Sequence, residues 1–328
     1  MLPTITVIVP VRPGGPVGRV LETLRTVEYP AEKIEILVAE GKQPSRQRNT
    51  AAQMATGELI YFLDNDSEVT PHLFKKAMRH YDDPQVAAVG GPNLTPPTDT
   101  LLQKTFGYAL GSRFAHGQMG CRYERIGGVR QASEKELILC NLSVRRHVFQ
   151  QLGGFCESLY PNEENEFLNR LAHSGYKLIY DPEILIYRSR RPSIARFVKQ
   201  FLGYGRGRAE QTLVERSWGN LPFFLPLALL IYLLTLPFIH PPFYLIPLAI
   251  YLSLAFSSAS LRAVTKRSPF LIPGLLFVYL VMHISYAVGQ MWGLANAGMR
   301  RPFVNWDPHT SVSVKVVHGA NIRDTSSH

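Results

Sequence analysis

A chain of 328 residues is longer than one average domain, and 46% hydrophobic against 18% charged side chains exceeds what a single soluble core requires. A formal charge of +10 admits nucleic acid, anionic lipid or a phosphorylated substrate, so the placement of the basic residues has to separate these. Cys121, Cys140 and Cys156 form no CxxC pair and no metal-type spacing, which argues against a thiolate metal centre and for buried thiols in a reducing compartment.

The chain opens without a basic leader, and its first apolar run stops at Pro10 and Arg12, so the N-terminal part is expected in the cytoplasm. Residues 5–9 read as a strand of the buried parallel kind, after which Val17, Val20, Leu21 and Leu24 recur at helical spacing behind Pro16. Residues 34–39 supply a second strand, ending at Glu40. A helix over 45–56 stops at Gly57, a natural left-handed cap, and the apolar run 59–63 is a third strand that delivers Asp64, Asn65 and Asp66. Thr70-Pro71 starts another helix in the cap-then-proline order, and 86–89 is a further strand before Gly90-Gly91-Pro92. Strands alternating with amphipathic helices over the first 190 or so residues are an α/β signature.

In an open parallel α/β sheet, ligands bind outside the carboxyl ends of the strands, which singles out Glu40, Asp64 and Asp66. Two carboxylates one residue apart on a turn offer oxygens to a hard cation and leave positions for water and diphosphate oxygens, which suits Mg or Mn. The competing reading of Asp-Asn-Asp is turn chemistry leading into a helix. Gly14-Gly15-Pro16-Val17-Gly18 lacks the GxGxxG spacing of a dinucleotide fold. His72, His80, His116, His147 and His173 are scattered, with no ligand spacing. The stretch 101–114, rich in Phe, Tyr and Leu, reads as a helix for core or interface packing, with contact to lipid as the alternative. Glu163 and Glu164 open a helix whose Phe167, Leu168 and Leu171 fall at packing spacing, with Gly175 as its stop; acids there also suit the helix dipole.

Over residues 188–208, Arg188, Arg190, Arg191, Arg196, Lys199, Arg206 and Arg208 occur without an acid. This reads as an interfacial helix on anionic headgroups, where each basic residue contributes about 1 kcal/mol. Clustering beside apolar segments, with no nucleic-acid module, argues against nucleic acid as a partner. Between Gly219 and Arg300 there is no Asp or Glu, and three apolar blocks, 221–239, 243–261 and 270–297, each read as a membrane segment. A helix of about 19 residues reaches about 28 Å, close to a hydrocarbon thickness of about 30 Å. Pro222, Pro226, Pro237, Pro247 and Pro273 are tolerated in such helices when neighbours satisfy the freed carbonyls. Arg262, Lys266 and Arg267 place the second connection on the cytoplasmic side. If all three blocks span, Arg300, Arg301, Lys315 and Arg323 face outward against the same rule; otherwise the third block is re-entrant or interfacial.

The succession Ile5-Thr6-Val7-Ile8-Val9-Pro10-Val11, Arg48-Asn49-Thr50-Ala51, Thr56-Gly57-Glu58, Tyr61-Phe62-Leu63-Asp64-Asn65-Asp66, Gly153-Gly154-Phe155 and Asn162-Glu163-Glu164-Asn165-Glu166 with Arg170 resembles the family-2 glycosyltransferases. It extends over roughly residues 4–210 and looks most like the exopolysaccharide-chain transferases with a membrane tail. The resemblance implies a glycosyltransferase A-type catalytic domain at 1–190, a basic interfacial helix region at 191–219, a transmembrane region at 220–298 and a polar tail at 299–328. It implies a metal-dependent, inverting transferase that uses Mg or Mn. Such an enzyme moves a sugar from a nucleotide-diphosphate donor, UDP-sugar first, to a polyprenyl-diphosphate-linked acceptor in polysaccharide assembly. Its setting is the inner (plasma) membrane, multi-pass, with the catalytic domain cytoplasmic and a homo-oligomer compatible. Carried residue by residue, Asp66 is the metal ligand with Asp64 beside the nucleotide and the metal, and Arg48, Asn65, Pro10 and Arg12 line the donor. Glu40 stands where the family has an acid for the base or ribose, Gln200, Arg206 and Arg208 match a membrane-proximal segment that steadies the diphosphate, and Glu164 is the base with Glu163 as second choice. The chain departs from the family at 39–45, which runs almost directly into the Arg48 helix without the usual intervening helix and strand. That departure motivates the alternative of a catalytically silent, membrane-anchored assembly partner.

Overall fold

The structure is a computed structural model describing residues 2–215, 218–239, 241–298 and 311–318. Its centre is an eight-stranded mixed sheet. Strands β1 (Ile5–Val11), β2 (Ile34–Glu40) and β3 (Leu59–Leu63) run parallel, with β1 between the other two. Their residues are apolar on both faces because helices cover both: α1 (Gly18–Leu24) lies on one side and α2 (Pro44–Met54) on the other. Two short strands, β4 (Glu68–Val69) and β6 (Asn93–Leu94), flank α3 (Leu73–Met78) and β5 (Val86–Gly90) in the chain. The helix expected from Thr70-Pro71 starts later, at Leu73, because the Thr70 hydroxyl donates to the Leu185 carbonyl rather than capping it.

Helices α4 (Leu101–Leu110) and α5 (Arg113–His116) lead to β7 (Arg130–Gln131) and β8 (Asn141–Arg145), and β8 runs antiparallel between β3 and β5. The Thr100 hydroxyl and the Gln103 side chain form a capping box at the start of α4. After α6 (Arg146–Gln151) and α7 (Glu163–His173) come β9 (Lys177–Tyr180) and β10 (Ile186–Tyr187). Strand β10 sits between β4 and β6 in a three-stranded sheet, so the chain leaves it beside the end of β3.

Four helices follow: α8 (Ile194–Glu215), α9 (Leu225–Thr235), α10 (Ile246–Thr265) and α11 (Leu271–Gly298). Two segments, Pro242–Thr265 and Leu271–Ala297, are long and apolar enough to cross a membrane. The first apolar block is shorter as a helix, since α9 has 11 residues and a 3-10 turn holding Pro222 precedes it. Helix α11 is no detached anchor. An added Cβ at Gly205 would sit 1.9 Å from the Tyr286 carbonyl oxygen, and one at Gly289 would sit 2.2 Å from that of Leu202, so α8 and α11 touch backbone to backbone. At its other end α11 packs on α4, where Phe106 stacks on Phe197 at 4.0 Å. Arg262 donates to the Glu124 carboxylate and the Gly111 carbonyl, and the Lys266 ammonium lies 5.1 Å from the Tyr108 ring centre, so the end of α10 and the turn before α11 rest on the segment around α4 and α5.

The expected polar tail is in part a strand. β11 (Ser313–His318) pairs antiparallel with β2 at the sheet edge, with Val314 opposite Ala39 and Val317 opposite Ile36. Val312 and Val314 pack into one face of the core and Val317 into the other. Arg300, Arg301 and Arg323 lie outside the described residues. All three cysteines are free, and Cys121 and Cys140 are buried.

Candidate active site

The site assembles beyond the ends of β3 and β10, beside Arg48 of α2 and the start of α7. Beyond Leu63, the Asn65 amide donates to the Pro16 carbonyl at 2.8 Å, which fastens the Asp64-Asn65-Asp66 loop to the segment after β1. Arg48, on α2, reaches Asp64 Oδ1 with Nη2 at 2.9 Å and Glu163 Oε1 with Nη1 at 3.2 Å. Arg188, just past β10, reaches Asp64 Oδ2 with Nη1 at 2.8 Å and Asp66 Oδ1 with Nε at 2.6 Å. A continuous chain of polar contacts therefore runs Asp66, Arg188, Asp64, Arg48, Glu163. Burial pushes the Asp64 carboxyl up, but Arg188 and Arg48 outweigh it and hold the group below its usual range.

Asn49 clamps the next loop: its side chain accepts from the Phe155 amide at 2.9 Å and donates to the Phe155 carbonyl at 2.8 Å. Gly154 there has φ +69°, and a Cβ would lie 2.6 Å from Asn49 Oδ1. Asn162, left-handed at φ 94°, then turns the chain into α7. Successive residues on a helix point about 100° apart, so the two leading acids diverge. Glu163 is buried against Arg48; burial first and the Glu164 charge second push its carboxyl up, against the pull of Arg48. Glu164 faces the other way, 3.6 Å from Arg122 Nη1, into a cavity of about 640 Å³. Phe114, Phe201, Phe223, Leu229 and Met282 form much of its apolar wall, so the cavity lies between the sheet-bearing part of the chain and the C-terminal helices.

Glu40 ends β2 and accepts from the Gly14 amide at 3.1 Å, while the Gln47 amide bridges the Val11 and Ala39 carbonyls at 2.7 and 2.6 Å. Pro10 and the exposed Arg12 lie at the same carboxyl ends. Gln200 accepts from Arg191, donates to the Tyr204 hydroxyl at 2.6 Å, and shares a small pocket with Arg188 and Arg190. Arg206 donates to the Tyr160 carbonyl at 2.6 Å. Arg208, about 200° further round α8, lines the 640 Å³ cavity instead and lies 3.9 Å over the Phe223 ring, so it is not gathered with the aspartate loop.

The basic run also differs from an evenly charged interfacial face. Arg188 is paired with the two aspartates, Arg190 is buried with its Nε on Thr95 Oγ1 at 2.9 Å, and Arg208 is buried, which leaves Arg191, Arg196 and Lys199 exposed. Arg188 and Arg122 were not singled out as site residues by sequence. No local signal could have marked Arg188, which meets Asp66 across 122 residues. Asn49 was visible in the Arg-Asn pair.

A divalent cation fits the loop chemically. Asp64 and Asp66 supply hard carboxylate oxygens, yet among the described residues no three His, Cys, Asp or Glu side chains gather as a metal site. An ion here would take its remaining ligands from a bound diphosphate and from water, and Arg188 would have to yield its place between the two acids.

Residues 59–291 match the model of Glycosyl transferase family group 2. The chain is 24% identical over 284 residues to the succinoglycan biosynthesis protein ExoA of Rhizobium meliloti, across 77% of this chain and 84% of that protein. It is likewise 24% identical over 280 residues to the glycosyltransferase AglE of Haloferax volcanii, across 74% of this chain and 84% of that one. Among solved structures it is similar in fold to the mannosyltransferase PcManGT from Pyrobaculum calidifontis, in complex with GDP-Man and Mn2+, with a TM-score of 0.59 and 17% identity across 90% of this chain and 88% of that chain.

Proposed function

Since the chain belongs to glycosyl transferase family group 2, we propose that it is an inverting transferase moving a sugar from a nucleotide-diphosphate donor, UDP-sugar first, to a hydroxyl of a polyprenyl-diphosphate-linked acceptor. The observation that carries this reading is the divergent orientation of the two acids that open α7. Glu163 is tied through Arg48 to the aspartate loop, and Glu164 opens on the cavity beside the apolar helices. Donor and acceptor sides thus meet at one helix start.

Asp66 and Asp64 would hold Mg or Mn, which when bound neutralises the diphosphate as it departs. Arg48 and Arg188 add fixed positive charge on the same side. Glu164 accepts the proton of the acceptor hydroxyl as its oxygen bonds to the anomeric carbon, from the face opposite the leaving diphosphate. Glu40, Pro10 and Arg12, at the strand ends, are placed for the nucleoside. Helices α9 to α11 hold the enzyme at the inner (plasma) membrane with the catalytic domain on the cytoplasmic side.

The test is Glu164→Gln, expected to lower kcat by about 100- to 10,000-fold with donor affinity nearly unchanged. Glu163→Gln is expected to hurt less. Wild-type turnover by Glu164→Gln would put the base elsewhere, and binding of donors without turnover of any would favour the silent assembly partner.

A further inference from the structure

Arg208 presents an unfinished contact. Its side chain is 1% exposed, yet Nη1 has no hydrogen-bond partner among the described residues. The Phe223 ring at 3.9 Å offers a π-face and the Tyr286 hydroxyl accepts a hydrogen bond from the guanidinium, but neither gives Nη1 an acceptor. A buried cation left this way costs free energy unless a ligand completes it.

The cavity that Arg208 lines is unbalanced in charge. Arg113, Arg122, Lys135 and Arg208 border it, and Glu164 is the one acid among its lining residues. His116 adds no charge there, because burial first and Arg122 second push it down to about 3. Most of the remaining wall is apolar, and much of it comes from α9 and α11. Excess positive charge within a largely apolar wall suits an amphiphile with an anionic head.

We infer that this cavity is the acceptor chamber and that Arg208 binds a phosphate of the lipid-linked acceptor, rather than the donor diphosphate to which the motif resemblance would assign it. The assignment rests on the reading of Glu164 as the base. A phosphate oxygen is already ionised and needs no base, and a carboxylate beside it would repel it. The phosphate on Arg208 is therefore a handle. The nucleophile is a hydroxyl of a sugar carried on it, which reaches Glu164 in the same chamber.

The test uses the full chain in detergent with farnesyl phosphate, farnesol and UDP with Mn2+ as separate probes. Arg208→Gln is expected to weaken farnesyl phosphate binding by about tenfold to a hundredfold, the range of a charge-assisted hydrogen bond, while farnesol and UDP affinities hold. Arg208→Lys should recover part of the loss. Leu229→Trp fills the apolar end without touching Arg208 and should abolish farnesyl phosphate binding while UDP still binds; it also keeps the idea testable if Arg208→Gln does not fold. Equal loss of UDP affinity in Arg208→Gln would return Arg208 to the donor, and unchanged farnesyl phosphate binding in Arg208→Gln or Leu229→Trp would overturn the chamber. Failure of Glu164 as the base would show separately, as normal turnover by Glu164→Gln with farnesyl phosphate binding intact.

Discussion

Glu163→Gln measures which force governs the most deeply placed acid of the site. Glu163 is 2% exposed and lies 3.2 Å from Arg48. Burial and the Glu164 charge raise its carboxyl from 4.5 to about 8, whereas Arg48 acts in the opposite direction. If the upward push wins, the folded chain keeps a proton that the unfolded chain releases. Between pH 4.5 and about 8 the native state then binds more protons than the unfolded one, so stability falls as pH rises. The contribution is fully present below pH 4.5 and is lost as pH climbs through about 8. One full proton corresponds to a slope of at most about 1.4 kcal/mol per pH unit. At about 2–4 °C per kcal/mol, the Tm difference between wild type and Glu163→Gln should change by about 5–10 °C from about pH 5.5 to about pH 7.5. Thermal unfolding followed by intrinsic fluorescence, without nucleotide, reads this directly. Glu164→Gln serves as the companion, because removing its charge moves the steep region to lower pH. Parallel curves for wild type and Glu163→Gln would refute the reasoning: Glu163 would be ionised in the folded protein, with Arg48 outweighing burial.

Asp66→Ala should abolish metal-supported donor binding yet leave stability within about 0.5 kcal/mol, since a 43% exposed side chain contributes little packing; calorimetric donor binding with and without EDTA decides it. Gly205→Ala should cost about 1–3 kcal/mol, because its Cβ has no room beside Tyr286, whereas Gly203→Ala, with nothing within 4 Å, should gain about 0.5–1 kcal/mol; equal Tm values for the two variants would contradict the helix seam. Val314→Pro puts a proline in the paired stretch and removes a packed side chain, so limited proteolysis should release the C-terminal segment from the variant and leave the wild type whole.

The catalytic half of the fold is written locally and was legible for that reason. Ile5, Val7 and Ile8 are apolar in the way a strand covered on both faces must be, and the Asp64 loop follows from where 59–63 ends. What escaped depends on distant partners. Arg190 and Arg191 look alike in a charged run, but one is buried against Thr95 and the other is exposed, and only the neighbouring elements decide which. Glu163 and Glu164 are chemically alike, and their division into an acid facing Arg48 and an acid facing the cavity needs the turn at Asn162. Strand β11 did carry a period-two signal in Val312, Val314 and Val316, but its pairing with β2 joins residues more than 270 positions apart.

Ser313–His318 hydrogen-bonds to Ile34–Glu40, so after α11 the chain returns to the sheet it left before α8. An odd number of bilayer crossings would strand β11 on the far side from its partner, so the crossings between α8 and β11 sum to an even number. Helix α11 starts beside Thr105 and ends against Arg206, and the Arg262 connection rests on Glu124 and Gly111, which straps that helix along the catalytic body at both ends. What remains free to leave is the hairpin of α9 and α10. If the C-terminal helices enter a bilayer, that hairpin is the part the strap leaves free to cross it.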